Sequence, residues 1–102
     1  MDNPRHDRLT VVVAACNEAE ALPLLHARLM PVLDCLAGVE ARVLYVDDGS
    51  RDGTWAVLQR LAAQNRRVAL LRLSRNFGKE AALTAGLDAI DEGAAMILDA
   101  DG

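Results

Sequence analysis

The chain has 102 residues, a length that favours one domain, and 52% of them are hydrophobic, which allows a substantial core. A net charge of −4 argues against binding nucleic acid by general electrostatic attraction, and no apolar run approaches the ~18 residues of a membrane span. The start MDNPRHDRLT lacks the apolar core of a signal peptide, and Cys16 and Cys35 have no metal-ligand spacing, so we expect a cytoplasmic protein with reduced thiols.

Short apolar runs and helical patterns alternate along the chain. The apolar, often β-branched runs predict strands over residues 9–15, 41–47, 68–74 and 95–99. Apolar residues at helical spacing predict helices over residues 18–36, 54–65 and 78–93. Pro31 lies inside the first helical pattern and has no amide donor, so we expect a kink or a break near residues 27–31.

This order predicts an α/β fold, with about four parallel strands and helices on both faces of the sheet. We assign residues 1–8 to an N-terminal tail and residues 9–102 to one structural unit. No helical pattern follows the last predicted strand, although ligands of open parallel sheets bind beyond the carboxyl ends of the strands. We therefore expect the chain to be a fragment of a longer domain, truncated after this strand.

Two adjacent carboxylates follow the second predicted strand, in the sequence VDDGSRDGT. Asp47 directly abuts the strand, where a carboxylate needs hydrogen bonds or a charged partner. It fits a turn residue bonded to local amides and a functional residue equally well. Asp48, one residue further out, is placed to accept hydrogen bonds from a nucleobase edge or a ribose.

The last predicted strand ends in Asp99-Ala100-Asp101. Alternate residues of a strand point to the same side, so both carboxylates can face one site. Mg²⁺ and Mn²⁺ prefer oxygen ligands and often combine one or two carboxylates with phosphate oxygens. The chain contains neither G-x-G-x-x-G after the first strand nor a P-loop sequence. A metal held by Asp99 and Asp101 is therefore the natural means of binding a nucleotide diphosphate.

Four segments in order, VVVAACNEAEALP, YVDDGSRDGTW, LSRNFGKEAALTAGLDAI and ILDADG, resemble the N-terminal half of family 2 glycosyltransferases with the Rossmann-like GT-A fold. The strongest resemblance is to the polyprenyl-phosphate sugar synthases, a group that includes dolichol-phosphate mannose synthase and bacterial enzymes that glucosylate undecaprenyl phosphate. The resemblance covers about residues 9 to 101. It implies an inverting, metal-dependent enzyme that transfers a sugar from a UDP- or GDP-sugar to a lipid phosphate.

The resemblance also implies which residues bind the nucleotide sugar. Positions 14, 16 and 18 would line the nucleotide pocket, Val46 and Asp48 would contact the base and ribose, and the last motif would hold the diphosphate. The implied set is Ala14, Cys16, Glu18, Val46, Asp48, Asp99, Ala100 and Asp101, with Asp101 and Asp99 as ligands of Mg²⁺ or Mn²⁺. No catalytic residue is assigned within the chain, which we expect to be inactive by itself.

Two positions depart from the family pattern, because Ala14 and Cys16 replace the usual Pro and Tyr. Loss of the Tyr ring removes a stacking surface for the base. This departure favours the alternative, a non-catalytic α/β module for nucleotide binding or protein interaction, whereas the intact acidic pair favours the enzyme. Glu18 fits both a nucleotide contact and a cap of the first helix.

Several interactions remain open at this level. Lys79 and Arg75 can approach a phosphate near the third helix or serve as solvated loop cations. An exposed sheet edge would favour a homodimer or aggregation. The resemblance implies that the full-length protein acts at the cytoplasmic face of the membrane, with the lipid-phosphate acceptor bound by residues beyond this chain.

Overall fold

The computed structural model describes residues 8–91 and 93–99, which form one parallel sheet flanked by helices. The elements in chain order are β1 (Arg8–Ala15), α1 (Ala21–Asp34), β2 (Glu40–Asp47), α2 (Thr54–Gln64), β3 (Val68–Arg72), α3 (Lys79–Asp88) and β4 (Ala94–Asp99). The strand order is β3-β2-β1-β4, and each neighbouring pair is parallel. The predicted α/β fold with four parallel strands is confirmed.

The two central strands distribute their apolar side chains between two layers. One face of β1 and β2 packs against α1 and α2, through the buried residues Val11, Val13, Ala15, Val43, Tyr45, Leu22, Leu33, Val57 and Leu58. The opposite face packs against α3, through Val12, Ala14, Leu44, Val46 and Ala82. Burial on both faces explains why these strands lack the polar alternation of a half-exposed sheet.

β4 departs from the expectation that apolar strands are covered on both faces. Met96 and Ile97 are 53% and 49% exposed. Among the described residues, the largest helix–strand contacts are those of α3 with β1 and β2, and of α2 with β3. Leu98 of β4 packs against the same core cluster as α1 and α2, so in the described part of the chain the expected cover is present at Leu98 and absent at Met96 and Ile97.

Several element boundaries differ from the predicted ones. α1 continues unbroken through Pro31, so the predicted break is wrong. Pro31 is exposed, and so is Ala27, whose carbonyl would normally accept the missing amide hydrogen. β3 is shorter than predicted, although the Leu73 N–H still donates to the carbonyl of Asp47 at 2.9 Å. β1 begins at Arg8, the last residue of the predicted tail, and residues 1–7 lie outside the described part of the chain.

No helix within residues 8–91 and 93–99 has both the length and the apolar character needed to cross a membrane.

Candidate functional site

A small cavity of about 90 Å³ lies at the carboxyl edge of the sheet, where β1 and β2 end and α3 begins. The residues that line it are Ala14, Ala15, Cys16, Glu18, Asp48 and Lys79. Parallel strands bring their carboxyl ends to the same edge, so residues distant in sequence meet here. The structure thus brings together four of the predicted nucleotide-binding residues and adds Lys79, one of the two cations whose role the sequence left open.

Asp48 connects the end of β2 to the loop that precedes α3. Its side chain is almost wholly buried, with 3% exposure. Oδ1 accepts the N–H of Phe77 at 2.9 Å, and Oδ2 accepts the N–H of Gly78 at 3.1 Å. An ionised carboxylate has further acceptor capacity after two such bonds, so Asp48 can support this loop and still accept a donor from a bound ligand.

Asp47 serves the turn that follows β2. The residue is fully buried, and its Oδ1 accepts the N–H of Ser50 at 3.0 Å. Its Oδ2 has no hydrogen-bond partner among the described residues and lies 3.9 Å from Nε of Arg72. Of the two interpretations left open for Asp47, these contacts favour the turn residue.

Cys16 and Glu18 reach the cavity from the loop after β1. The amide Nδ2 of Asn76 donates to the sulfur of Cys16 at 3.1 Å, which ties this loop to the one before α3. The backbone carbonyl of Glu18 accepts the N–H groups of Ala21 and Leu22 at the start of α1. The side chain of Glu18 lies outside the first turn of α1, so its place at the cavity favours the ligand contact over the helix cap.

Strand register places the first residue of the acidic motif beside the cavity. The parallel partners of Ala14 are Val46 on β2 and Asp99 on β4. The side chain of Val46 is buried in the core on the α3 face of the sheet and does not line the cavity. Asp99 ends β4 next to a cavity-lining residue. Ala100 and Asp101 lie outside the described residues, so the predicted pair of metal ligands, Asp99 and Asp101, is described only at the backbone of Asp99.

The described residues contain no group of three or more His, Cys, Asp and Glu side chains that could hold a metal ion. The two ligands predicted from sequence, Asp99 and Asp101, therefore remain a prediction. Their chemistry fits the ion, because Mg²⁺ and Mn²⁺ are bound in proteins through one or two carboxylates together with oxygens from the substrate.

Arg75, the other cation considered for phosphate binding, does not line this cavity. It lines a separate groove together with Arg51 and Arg72, and its guanidinium lies 4.6 Å from the ring centroid of Phe77. The Arg72 guanidinium lies over Trp55 at 5.0 Å. Trp55 itself is partly buried and packs against the core.

His26 makes a contact that the sequence does not predict. It is half-buried, and its Nδ1 lies 2.9 Å from the hydroxyl of Tyr45. Burial, and then the charge of Arg67, lower the pKa of His26. Burial also raises the pKa of Tyr45 to about 12. The pair lies in the layer under α1, so it belongs to the core and not to the cavity.

The sequence of this chain matches one protein family along most of its length. The family model described as "Glycosyl transferase family 2" matches residues 10–102. The chain belongs to glycosyl transferase family 2. The match includes every element that lines the cavity, so the resemblance inferred from the four sequence segments is confirmed.

Similar family 2 proteins extend well beyond this chain. An uncharacterized glycosyltransferase of Synechocystis sp. is 41% identical over 93 residues, which are 91% of this chain and 29% of the relative. The prophage bactoprenol glucosyl transferase homolog of Escherichia coli is 35% identical over 94 residues, which are 92% of this chain and 30% of the relative. The chain therefore spans less than a third of the length of these curated relatives.

A solved structure shares the GT-A fold. The mannosyltransferase PcManGT from Pyrobaculum calidifontis, in complex with GDP-Man and Mn²⁺, superposes with a TM-score of 0.72 at 29% identity. The superposition covers 92% of this chain and 27% of the other. The four-stranded parallel sheet and its flanking helices are thus part of a GT-A glycosyltransferase domain.

Proposed function

We propose that the full-length protein transfers a sugar from a UDP- or GDP-sugar to a polyprenyl phosphate, and that this chain supplies the nucleotide-binding part. The observation that carries the proposal is the register of β1 and β4, in which Asp99, the first residue of the acidic motif, pairs with the cavity-lining residue Ala14. This pairing supports a site in which the acidic motif and the residues assigned to the nucleotide act together. The relatives support the acceptor class, since several are named bactoprenol glucosyl transferases.

The cavity-lining residues divide into two proposed roles. Asp48, Glu18 and Cys16 contact the base and ribose, with Asp48 as the acceptor for donor groups on the nucleotide. Lys79, at the start of α3, lies where a cation can attract the diphosphate. Its positive charge would offset the repulsion between an anionic diphosphate and the carboxylates of Asp48 and Glu18.

Asp99 and Asp101 would hold Mg²⁺ or Mn²⁺. When bound, the metal stabilises the negative charge on the departing nucleoside diphosphate. The solved neighbour supports this assignment, because its structure contains Mn²⁺ together with GDP-Man. The acidic pair would therefore serve as a ligand set and not as general acid or base.

The transfer itself exchanges one bond for another at the anomeric carbon of the sugar. An oxygen of the acceptor phosphate forms the new bond, and the bond from that carbon to the diphosphate breaks, with inversion. A phosphate is already ionised near neutral pH, so the nucleophile needs no strong general base. We place the reaction at the cytoplasmic face of the membrane, because a polyprenyl phosphate is a membrane lipid.

A transfer assay tests this proposal. The full-length protein is incubated with undecaprenyl phosphate and either UDP-glucose or GDP-mannose labelled in the sugar, with Mn²⁺. We expect label in the lipid fraction with one of the two donors, and none when undecaprenyl phosphate is omitted. Absence of transfer from either donor, by a protein that binds neither UDP nor GDP, would instead favour the non-catalytic module.

A further inference from the structure

Hydrogen bonds join the loop after β1 (residues 16–20) to the loop after β2 (residues 48–53) in both directions. The N–H of Asn17 donates to Oγ of Ser50 at 2.9 Å. In return, Oδ1 of Asn17 accepts the N–H of Arg51 at 2.8 Å and that of Asp52 at 3.4 Å. One asparagine thus uses both its backbone and its side chain to hold the neighbouring loop.

Asp52 and Thr54 complete this connection from the other side. Oδ2 of Asp52 accepts the N–H of Ala19 at 3.3 Å, and Oγ1 of Thr54 accepts the N–H of Glu18 at 2.9 Å. The Thr54 hydroxyl also donates to Asp52, a bond that lowers the pKa of the Asp52 carboxyl. The carboxylate therefore stays ionised as an acceptor through the neutral pH range.

Asn17 has a backbone conformation that few other residues adopt readily. Its φ is +56°, in the left-handed region where asparagine and aspartate are enriched among non-glycine residues. Its neighbours on both sides, Cys16 and Glu18, line the cavity, whereas its own side chain bonds the second loop. The residue type thus suits both the backbone and the contact.

We propose that Asn17 is a positioning residue for nucleotide binding, because its backbone N–H and its side-chain oxygen together join the two loops whose residues line the cavity. Cys16 and Glu18 flank Asn17 in the first loop, and Asp48 begins the second. Without the bonds of Asn17, fewer hydrogen bonds join the two loops, so more ordering must accompany nucleotide binding and the observed affinity weakens. The proposal rests on the proposed function, since it needs a nucleotide in this cavity.

Two matched substitutions separate the hydrogen bond from the backbone conformation. Asn17→Gly permits a positive φ and removes the acceptor oxygen, whereas Asn17→Asp retains an acceptor and also tolerates this conformation. The dissociation constants for UDP and GDP are measured by calorimetry on the full-length protein with Mn²⁺, at about 0.15 M salt to screen the added charge. Thermal unfolding of each variant is recorded in parallel.

We expect Asn17→Gly to raise the dissociation constant of the nucleotide about 10-fold, and Asn17→Asp to stay within about 2-fold of the wild type. In the transfer assay, the donor KM should rise in Asn17→Gly while kcat changes little, because the acceptor and the bond exchanged at the sugar are unaffected. A merely structural role would lower the unfolding temperature and leave the dissociation constant unchanged.

Two results overturn the positioning role: an unchanged dissociation constant in Asn17→Gly, whether or not its unfolding temperature falls, or equal weakening of binding in both variants. If Asn17→Gly does not fold, Ser50→Ala removes the acceptor of the Asn17 N–H instead. It should raise the dissociation constant about 3-fold, and an unchanged value overturns the role. A wild type that binds neither UDP nor GDP contradicts the proposed function, and the positioning role with it.

Discussion

At the scale of single residues, Asp48 shows how one side chain can serve structure and binding together. Its two oxygens accept the N–H groups of Phe77 and Gly78, and the same carboxylate lines the cavity. Sequence analysis identified Asp48 from its place at the end of a strand. It did not predict the two amide bonds, because they come from a loop that lies 29 and 30 residues further along the chain.

The substitution Asp48→Asn tests this double role. An asparagine offers one acceptor oxygen in place of two, so one of the N–H groups of Phe77 and Gly78 would face the amide group and lose its bond to residue 48. We expect the free energy of unfolding in urea to fall by about 1–3 kcal/mol. Asp88→Asn, at an exposed position of α3, serves as the control and should change the unfolding free energy by less than about 0.5 kcal/mol. Equal values for the two variants would contradict the bonds assigned to Asp48.

The contact between His26 and Tyr45 predicts a pH dependence of stability. Burial lowers the pKa of His26 in the folded protein, so the unfolded chain binds a proton more readily below its ordinary pKa of about 6.5. The stability from the neutral imidazole is therefore complete above that pH. It is lost as the pH falls from there through the folded pKa.

Thermal unfolding between pH 8 and pH 5 measures this effect. Over this range, the unfolding temperature of the wild type should fall further than that of the variant His26→Gln, because the glutamine side chain does not bind a proton. Parallel curves for the two proteins would show that His26 does not titrate differently on folding.

At the scale of elements, the sequence predicted the order and type of the seven helices and strands in the described part of the chain, because unbroken apolar runs and helical periodicity report local geometry. It did not predict the strand order β3-β2-β1-β4 or the exposure of β4, which depend on contacts between distant segments. In the site, residue types at strand ends pointed to Asp48 and the acidic pair. The hydrogen bonds between the loops around Asn17 were not predicted, because they join residues that lie 33 to 35 positions apart in the sequence.

Close packing of α3 on the sheet provides a test at this scale. A Cβ on Gly86 would lie 2.7 Å from Cγ1 of Val12 and 3.0 Å from Cγ2 of Val46. We expect Gly86→Ala to lower the unfolding free energy by about 1–3 kcal/mol through overpacking, despite the better helix propensity of alanine. Ala81→Ser, at an exposed position of the same helix, is the control. A stabilised Gly86→Ala protein would show that α3 lies further from the sheet.

At the scale of the whole molecule, β4 forms one edge of the described sheet and leaves Met96 and Ile97 exposed. Edge strands with exposed apolar side chains tend to pair with other chains unless charged side chains on the strand prevent it. The 102-residue chain should therefore sediment as a mixture of monomer and dimer whose ratio depends on concentration. Ile97→Lys should shift it toward monomer, and a wild-type chain that remains monomeric at all concentrations would contradict this prediction.

The central claim is that a nucleotide diphosphate binds at the carboxyl edge of the sheet through a divalent ion held by Asp99 and Asp101. Calorimetric titration of the full-length protein with UDP and GDP, with Mn²⁺ or with EDTA, tests it most directly. We expect the bound nucleotide to lose at least about 10-fold in affinity when the ion is chelated or when Asp101 is replaced by alanine. Equal affinity in all three conditions would contradict the claim.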